Sequence, residues 1–500
     1  MRFSKLGHLP ALKAMTVAVV LFNSAMLGFN AGAKEKPNQS ANISANASFG
    51  IAASNLHPLS LSQALSIAIA VDPWLTRSAL RQKSMIDTSE AVDSLPNPVI
   101  SIGLANLPTD GFAFDQEPMT QFKAGVTQQF PRGQSLDIQR QQLQELAQQQ
   151  PLLRQDRMAK TKVVVSSLWL EVYRAQQTIA LIENDRALFQ QLAEIIQATY
   201  SSAVGSVRQQ DILRAQLELT RLDDRLNTLM SQKEEAGGQL LEWLSNGNDW
   251  QLSSAGFTQY QRVSPELPFV ASLEPSMQIS LTGNETQTLA QLLSVHPAIL
   301  AIEQRIDAGE TGVELAKQLY KSQWGLNASY AYRADDQLGR SRADFFSIGV
   351  SFDLPLFTQS SQDKKVSAAV REAEAIKTDK LLALRGLISQ LQSTWSRYQY
   401  LLKRQQIFDN NILVQTREQA EASLTAYTND DGDFSEVVRA RIDDLNVRID
   451  VLNIQVDLLK AQVELNYFFT TEQGSLTSSL GSGSGLDEIS ILTTALKVGE

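Results

Sequence analysis

The chain has 500 residues, no cysteine and a formal net charge of −10 at pH 7. An acidic balance of this kind argues against nucleic-acid binding, which needs a basic face. Without cysteine the chain forms no disulfides, binds no metal through thiolates and carries no lipid on an N-terminal cysteine. These classes are excluded, while transport, binding and structural roles remain open.

The first 33 residues are predicted to be a secretory signal peptide. Three basic residues precede an apolar run over 14–22, and Ala31-Gly32-Ala33 gives a small-x-small cleavage site. A membrane-anchor helix is the alternative, but asparagines interrupt the extension of the apolar run. Removal of the signal leaves 41 basic and 54 acidic residues, so the formal charge becomes −13. Residues 34–58 are expected to form a flexible leader.

The rest of the chain repeats itself at a nearly fixed spacing. Short segments recur 224 or 225 residues apart: Asp72-Pro73 and His296-Pro297, Gly125-Val126 and Gly349-Val350, Phe130-Pro131 and Leu354-Pro355, Arg214-Ala215-Gln216 and Arg439-Ala440-Arg441. This spacing indicates a duplicated structural unit. The predicted copies are residues 59–245 and 286–470, with a connecting region over 246–285 and a flexible tail over 471–500. A single helix from 60 to 94 is expected to open the first copy.

Each copy contains two segments in which apolar residues alternate with polar or small ones, as in β-strands. They cover about 98–107 and 120–130 in the first copy, and about 323–333 and 344–354 in the second. About ten residues are enough to cross a bilayer with tilt, and aromatic residues cluster near the strand ends as an interfacial girdle does. We therefore expect two membrane-spanning hairpins; strands of a soluble sandwich are the alternative.

Each hairpin is followed by a helical stretch far longer than the average globular helix of about a dozen residues. The predicted long helices cover 134–200 and 361–427, and Pro151 is expected to kink the first. Return helices are predicted over 208–245 and 434–470. Their apolar residues recur at alternating spacings of about four and three, which makes heptad seams that need partner helices.

The seams consist of Ile212, Ala215, Leu219, Leu222, Leu226 and Leu229 in the first copy, and Val438, Ile442, Leu445, Ile449, Leu452, Val456, Leu459 and Val463 in the second. Four strands cannot close a membrane barrel, since the smallest have eight. An open sheet edge in lipid would leave backbone groups unpaired. Two or three chains must then share one barrel, and we expect the same oligomer to supply partners for the seams.

These features resemble the TolC-type outer-membrane efflux proteins over about residues 59 to 470. The segments that carry the resemblance are Leu95-Pro96-Asn97-Pro98, Gly125-Val126, Gln129-Phe130-Pro131, Gly205 to Asp211 and Ile212-Leu213-Arg214-Ala215-Gln216. The stretch Gly103 to Pro108, followed by Met119-Thr120, is most similar to the CzcC/CusC-like branch that serves heavy-metal efflux pumps.

The resemblance implies a mainly α-helical fold with a transmembrane β-barrel. In the family, a homotrimer forms a twelve-stranded barrel in the outer membrane and an α-helical tunnel through the periplasm. The channel is a passive exit duct, and a periplasmic membrane-fusion adaptor connects it to a proton-driven inner-membrane pump of the RND type. Heavy-metal cations are the expected cargo, and the same duct for drugs or for type I secretion is the alternative.

The resemblance also places a periplasmic aperture at the two turns between long and return helices. Position by position, it assigns aperture contacts to Asp211, Tyr427 and Glu436. Arg439 replaces a second acid of the better-known relatives, and Gly432 stands where an arginine is often found.

The contacts that hold the aperture closed, called the aperture lock below, are therefore expected to involve different pairs. The candidates are Asp430, Asp431 or Asp433 with Arg439. Grouped carboxylates near a symmetry axis attract cations. A solvated turn, whose acids favour the following helix N-terminus, explains the same residues equally well.

No motif indicates an enzyme, a cofactor or a metal site. The sequence has no Walker loop, no H-E-x-x-H and no G-x-S-x-G. His8 lies in the predicted signal, while His57 and His296 stand far apart. The carboxylate pairs Asp223-Asp224 and Asp443-Asp444 are expected on solvated helix faces. A periplasmic coiled-coil structural protein is the remaining rival from another class.

Overall fold

The computed structural model describes residues 58–201, 208–245, 262–272, 286–354, 357–429 and 431–470. The predicted signal peptide, nearly all of the leader, most of the connecting region and the tail lie outside the described residues. The chain divides into two compact units. One is built from β-strands and the other from helices.

The strand unit is one antiparallel sheet. Its strands are β1 (Val99–Ala105), β2 (Gln121–Phe130), β3 (Trp324–Tyr332) and β4 (Phe345–Phe352), in the spatial order β1-β2-β3-β4. β1 with β2 and β3 with β4 form the two hairpins. β2 also pairs with β3 from Phe122 opposite Tyr332 to Phe130 opposite Trp324, so both copies of the duplication contribute to a continuous sheet.

The pairing register gives this sheet one apolar and one polar face. Ile102 lies opposite Ala124, and Ile348 lies opposite Ala328 on the same face. The exposed large side chains of this apolar face are Ile100, Ile102, Leu104, Phe122, Val126, Phe130, Trp324, Leu326, Tyr330, Phe346, Ile348, Val350 and Phe352. Because side chains alternate between faces, the intervening residues share the other face, and they are polar or small apart from Val99 and Phe345.

The first copy begins with two helices rather than one. Helix α1 covers Leu61–Val71 and α2 covers Pro73–Val92. Proline at position 73 has no N–H to donate into a continuing helix, and Asp72 caps α2 by accepting the N–H of Trp74 at 2.9 Å. The expectation of a single helix over 60–94 was therefore wrong.

The long helix of the first copy is unbroken. Helix α3 runs over Ser135–Ser201, 67 residues, and continues through Pro151. At 1.5 Å per residue its length is about 100 Å. Its return helix, α4, covers Gln209–Leu244.

The second copy begins with α5 (Thr286–Ser294) and α6 (Pro297–Lys317), followed by a 3₁₀ turn at Gln318–Tyr320. After the second hairpin, α7 (Gln359–Ile407) leads into a π-helical turn at Phe408–Ile412 and then α8 (Leu413–Thr428). Helix α9 (Phe434–Phe468) returns. Among the described residues, no helix is both long and apolar enough to span a membrane.

The heptad seams find their partners within the same chain. Ala215, Leu222 and Leu226 of α4 lie in one buried cluster with Leu445 and Ile449 of α9. Residues of α3 complete this cluster: Ile182, Phe189 and Ile196. Helices α3, α4 and α9 of one chain therefore bury part of both seams, while Ile212, Leu219 and Leu229 are only partly buried; further partners from an oligomer stay a prediction.

Candidate functional site at the helix-to-helix turns

The first turn positions Asp211 at the start of α4. Its carboxylate accepts the backbone N–H of Arg208 at 3.0 Å, and its own N–H donates to the Arg208 carbonyl at 2.9 Å. An acid in the first helical turn gives a hydrogen-bond acceptor to an N–H that would otherwise have none, and the partial positive charge of the helix N-terminus stabilises its carboxylate. Asp211 is only 6% exposed, so the carboxylate that caps α4 is nearly buried. Gly205, at the predicted tip, lies outside the described residues.

The second turn explains the glycine at position 432. The backbone N–H of Asp431 donates to the carbonyl of Ala426 at 2.9 Å, which folds the chain back over the end of α8. A Cβ atom on Gly432 would lie 2.9 Å from the backbone nitrogen of Tyr427. Because that contact is with backbone, an arginine at this position would displace the turn. The lack of space for a Cβ atom therefore explains why glycine, rather than arginine, stands at position 432.

Asp433 and Glu436 open the return helix α9. Asp433 is the N-cap residue, and its carboxylate accepts the N–H of Ser435 at 3.1 Å. Glu436 lies in the first turn and is exposed. Both acids therefore sit where the partial positive charge of a helix N-terminus stabilises them. The solvated-turn interpretation accounts for these local contacts.

Tyr427 has a different environment from the acids. Its ring lies 5.8 Å from the ring of Phe434, centroid to centroid, in a tilted arrangement. Phe434 is buried, and Tyr427 packs against the same cluster as Ile212. Both turns thus lie at the same end of the helical unit.

The structure brings together only part of the predicted lock. Asp431, Asp433, Glu436 and Arg439 are all exposed. Within the described part of the chain, no ion pair joins Arg439 to Asp431 or Asp433; Asp430 lies outside that part. Pairing of these groups between chains stays a prediction.

Sequence reasoning missed an ionic cluster deeper in the helical unit. Arg448 of α9 pairs with Asp444 one turn earlier at 2.9 Å and with Asp185 of α3. Asp185 and Asp444 are each 7% exposed. The expectation of a solvated face was therefore wrong for Asp444. Its i,i+4 relation to Arg448 was visible in the sequence, whereas Asp185 lies 263 residues away from Arg448 and was not.

Two further contacts attach α4 to this region. Arg186 of α3 pairs with Asp223 at 2.7 Å, and Arg225 donates to the side-chain oxygen of Asn446 at 2.8 Å. Across the described residues, no three His, Asp or Glu side chains gather where they could hold a metal ion. The charged groups found here cross-link helices.

No protein-family model and no curated protein sequence matches the chain. Solved structures do match. The outer-membrane channel OprN superposes with a TM-score of 0.65 at 16% identity, covering 82% of this chain and 89% of OprN. The outer membrane protein VceC of Vibrio cholerae gives 0.65 at 13% identity, covering 82% and 96%.

CusC, described as forming a transmembrane channel, gives a TM-score of 0.63 at 12% identity, covering 82% of this chain and 92% of CusC. Each match extends over most of both proteins. The chain therefore has the fold of TolC-type outer-membrane channels, as the sequence resemblance implied.

Proposed function

We propose that the chain is the outer-membrane exit duct of a tripartite efflux system. The observation that carries this proposal is the sheet, which has a broad exposed apolar face and a largely polar or small-residue opposite face. An exposed apolar face of this extent is costly in water and is the surface that lipid covers. The channel fold of the chain supports the same role, and it gives no support to an enzyme.

The open edges of the sheet support a trimer. β1 and β4 are the two edge strands, and an unpaired edge in hydrocarbon costs several kcal/mol for each unsatisfied backbone group. Three copies supply twelve strands, and closure removes every edge. The helical units of the trimer form the periplasmic tunnel, in contact with a membrane-fusion adaptor and, through it, an RND-type pump.

We propose heavy-metal cations as the cargo. The similarity of Gly103 to Pro108 to the metal-efflux branch supports this assignment, and the exposed acids Asp431, Asp433 and Glu436 would draw cations to the turns. Drugs or an exported polypeptide are the alternative cargo for the same duct.

A strain deleted for this chain tests both levels of the proposal. Tolerance is measured for zinc, cadmium, cobalt, copper and silver beside a panel of drugs and detergents, with the intact chain restored in the control strain. Selective loss of tolerance to one or two metals supports metal efflux. Loss to drugs alone overturns the cargo and retains the duct, whereas unchanged tolerance to everything contradicts the duct.

We also propose that Asp211 and Glu436 help to keep the periplasmic aperture narrow. Replacing both by alanine removes an N-terminal tether of α4 and an exposed acid of α9. Single-channel conductance of the purified protein in planar bilayers should rise in this double variant. Glu372→Ala, an exposed acid within α7, is the control and should behave as wild type. Equal conductance of the wild type, the double variant and Glu372→Ala would contradict the role proposed for Asp211 and Glu436.

A further inference from the structure

One charged residue stands out in the sheet. Among all residues of β1, β2, β3 and β4, Lys123 is the only one that carries a charge. Lys123 is exposed, and no ion pair or hydrogen bond holds its ammonium group within the described residues. A lone cation on an otherwise neutral sheet is not explained by packing.

The register places Lys123 on the polar face. Its direct cross-strand neighbours are Gly103 on β1 and Ala331 on β3. Both are too small to cover a lysine side chain. Ser101 and Ser329 lie on the same face, each opposite Gly125 two residues along β2. The ammonium group therefore extends from a surface on which its nearest neighbours are small or carry hydroxyls; Phe345 lies in the same row beyond Ala331, and none of the four strands places a carboxylate there.

We propose that Lys123 is the residue that attracts anionic solutes into the strand-lined part of the lumen. This inference rests on the proposed function, because the polar face becomes a lumen only when the sheet closes. In the trimer three copies of Lys123 form one ring of positive charge. The acids of the helix turns, such as Asp433 and Glu436, have the opposite sign to this ring.

The range of this attraction depends strongly on salt. The Debye length is about 30 Å at 0.01 M and about 3 Å at 1 M ionic strength. A ring of three charges in a wide aqueous lumen therefore acts on passing solutes at low salt and is screened at high salt. This dependence separates an electrostatic role from a structural one.

The chain contains no cysteine, so one introduced thiol reports the potential at one place. The reporter is Ser329→Cys, since residue 329 is a diagonal neighbour of Lys123 on the polar face, where Cα atoms are about 7–8 Å apart. Outer-membrane vesicles carrying the full-length protein are treated with an anionic or a cationic water-soluble thiosulfonate reagent. The ratio of the two reaction rates is compared with and without the additional substitution Lys123→Gln.

With Lys123 present, the anionic reagent should react preferentially at 0.01 M salt, and Lys123→Gln should lower the rate ratio several-fold. The ratios should converge at 1 M salt. Adding Ser101→Lys to the Lys123→Gln variant returns a cation to the same face and should restore the preference. If the rate ratio at 0.01 M salt is the same with and without Lys123→Gln, the inference is overturned, while the proposed exit duct is not.

A second reporter separates this failure from failure of the proposed function. Ile348→Cys lies on the apolar face and should be protected from both reagents by lipid. If the thiol at position 348 reacts freely while the thiol at 329 is protected, the faces of the sheet are assigned wrongly. That outcome would overturn both the assignment of the polar face to the lumen and the proposed ring of Lys123 side chains.

Discussion

Asp72 and His296 show how the two copies keep one local structure with different chemistry. Each is the N-cap residue of a helix whose first residue is proline. Asp72 accepts the N–H of Trp74 at 2.9 Å through a carboxylate oxygen, and His296 accepts the N–H of Ala298 at 3.2 Å through Nδ1. A histidine can cap in this way only while Nδ1 is unprotonated. The cap of the second copy is therefore lost when the imidazole of His296 is protonated.

The contacts of His296 favour its neutral form. Because Nδ1 accepts, Nε2 carries the hydrogen, and it lies 3.1 Å from the carbonyl oxygen of Tyr467. The residue is 1% exposed, and burial lowers the pKa of His296, assisted by the charge of Lys160 and opposed by the Tyr467 carbonyl and Asp156. Tyr467 donates its hydroxyl to Asp156 at 2.9 Å, which joins α9 to α3 beside the imidazole.

Acid should therefore weaken the helical unit at His296. A pKa that folding lowers means that the unfolded chain binds more protons, so this contribution to stability is lost as pH falls below about 6.5, the ordinary histidine pKa. His296→Asn keeps a capping oxygen and removes the titration. Between pH 7.5 and 5.5 the thermal midpoint of the detergent-solubilised variant should fall less than that of wild type. His57→Asn is the control, and equal acid sensitivity in all three proteins would contradict the assignment.

Asp433 should stabilise the first turn of α9 as its cap. Asp433→Ala removes the acceptor of the Ser435 N–H and should cost about 1 kcal/mol. Amide hydrogen exchange over residues 434–438 should accelerate by a factor of about 5, which corresponds to that free energy. Asp431→Ala removes an exposed carboxylate of the same turn that does not cap the helix, and it should leave this exchange unchanged. Equal acceleration in both variants would show that turn charge, rather than the cap, holds the helix end.

The π turn at Phe408–Ile412 is the clearest difference between the copies at the scale of elements. Helix α3 is α-helical over its whole length, whereas its counterpart is interrupted after α7. A π turn accommodates one extra residue within a helix. In an unbroken α-helix an extra residue would rotate everything after it by about 100°. The π turn therefore preserves the face that α8 presents to α9.

Deletion of a residue tests this interpretation. Deleting Asn410, which is exposed within the π turn, should convert the turn to α-helix and leave α7 and α8 in phase. Deleting Arg385, which is exposed within α7, should turn every later residue of the long helix away from its partners. The Asn410 deletion should therefore retain the heat-resistant oligomers expected of the proposed trimer, and the Arg385 deletion should lose them. Loss of oligomers in both would mean that the π turn itself is required.

The elements could be predicted where one local rule decides them. The absence of proline after Ser361 and the period of two in β3 and β4 were sufficient for a long helix and a hairpin. The π turn was not predictable, because its sequence Phe408-Asp409-Asn410-Asn411-Ile412 contains no residue that excludes an α-helix. It follows from fitting one more residue between packed faces, which is a tertiary requirement.

The candidate site was less predictable than the fold. The acids of the turns stand out in the sequence, yet their observed contacts are those of helix starts, as for Asp211 and Asp433. Arg448 joins Asp185 across most of the chain, and no sequence spacing gives that contact. The predicted pairs of turn acids with Arg439 between chains depend on surfaces that one chain does not contain. They therefore have to be tested on the assembled protein.

The apolar and polar faces of the sheet must meet different surroundings when the protein is folded. Ile348 lies near the middle of β4 on the apolar face and is 69% exposed. Ser347 is its immediate neighbour and points to the opposite face, where the register pairs it with Ser329. The two positions therefore differ in face while sharing a strand, a depth and a backbone environment. They form a matched pair for testing whether lipid covers one face only.

Ile348→Arg should cost about 2–4 kcal/mol if this position lies at mid-bilayer, because a guanidinium group would be transferred into hydrocarbon. Ser347→Arg puts the same charge on the same strand but into water, so it should be tolerated. The amount of folded protein in the outer membrane and its heat-modifiable migration on gels measure the difference. Normal levels of Ile348→Arg would contradict a lipid-facing surface. Equal loss of both variants would show that β4 tolerates no arginine on either face, which a soluble sheet packed on both sides would explain better than a barrel.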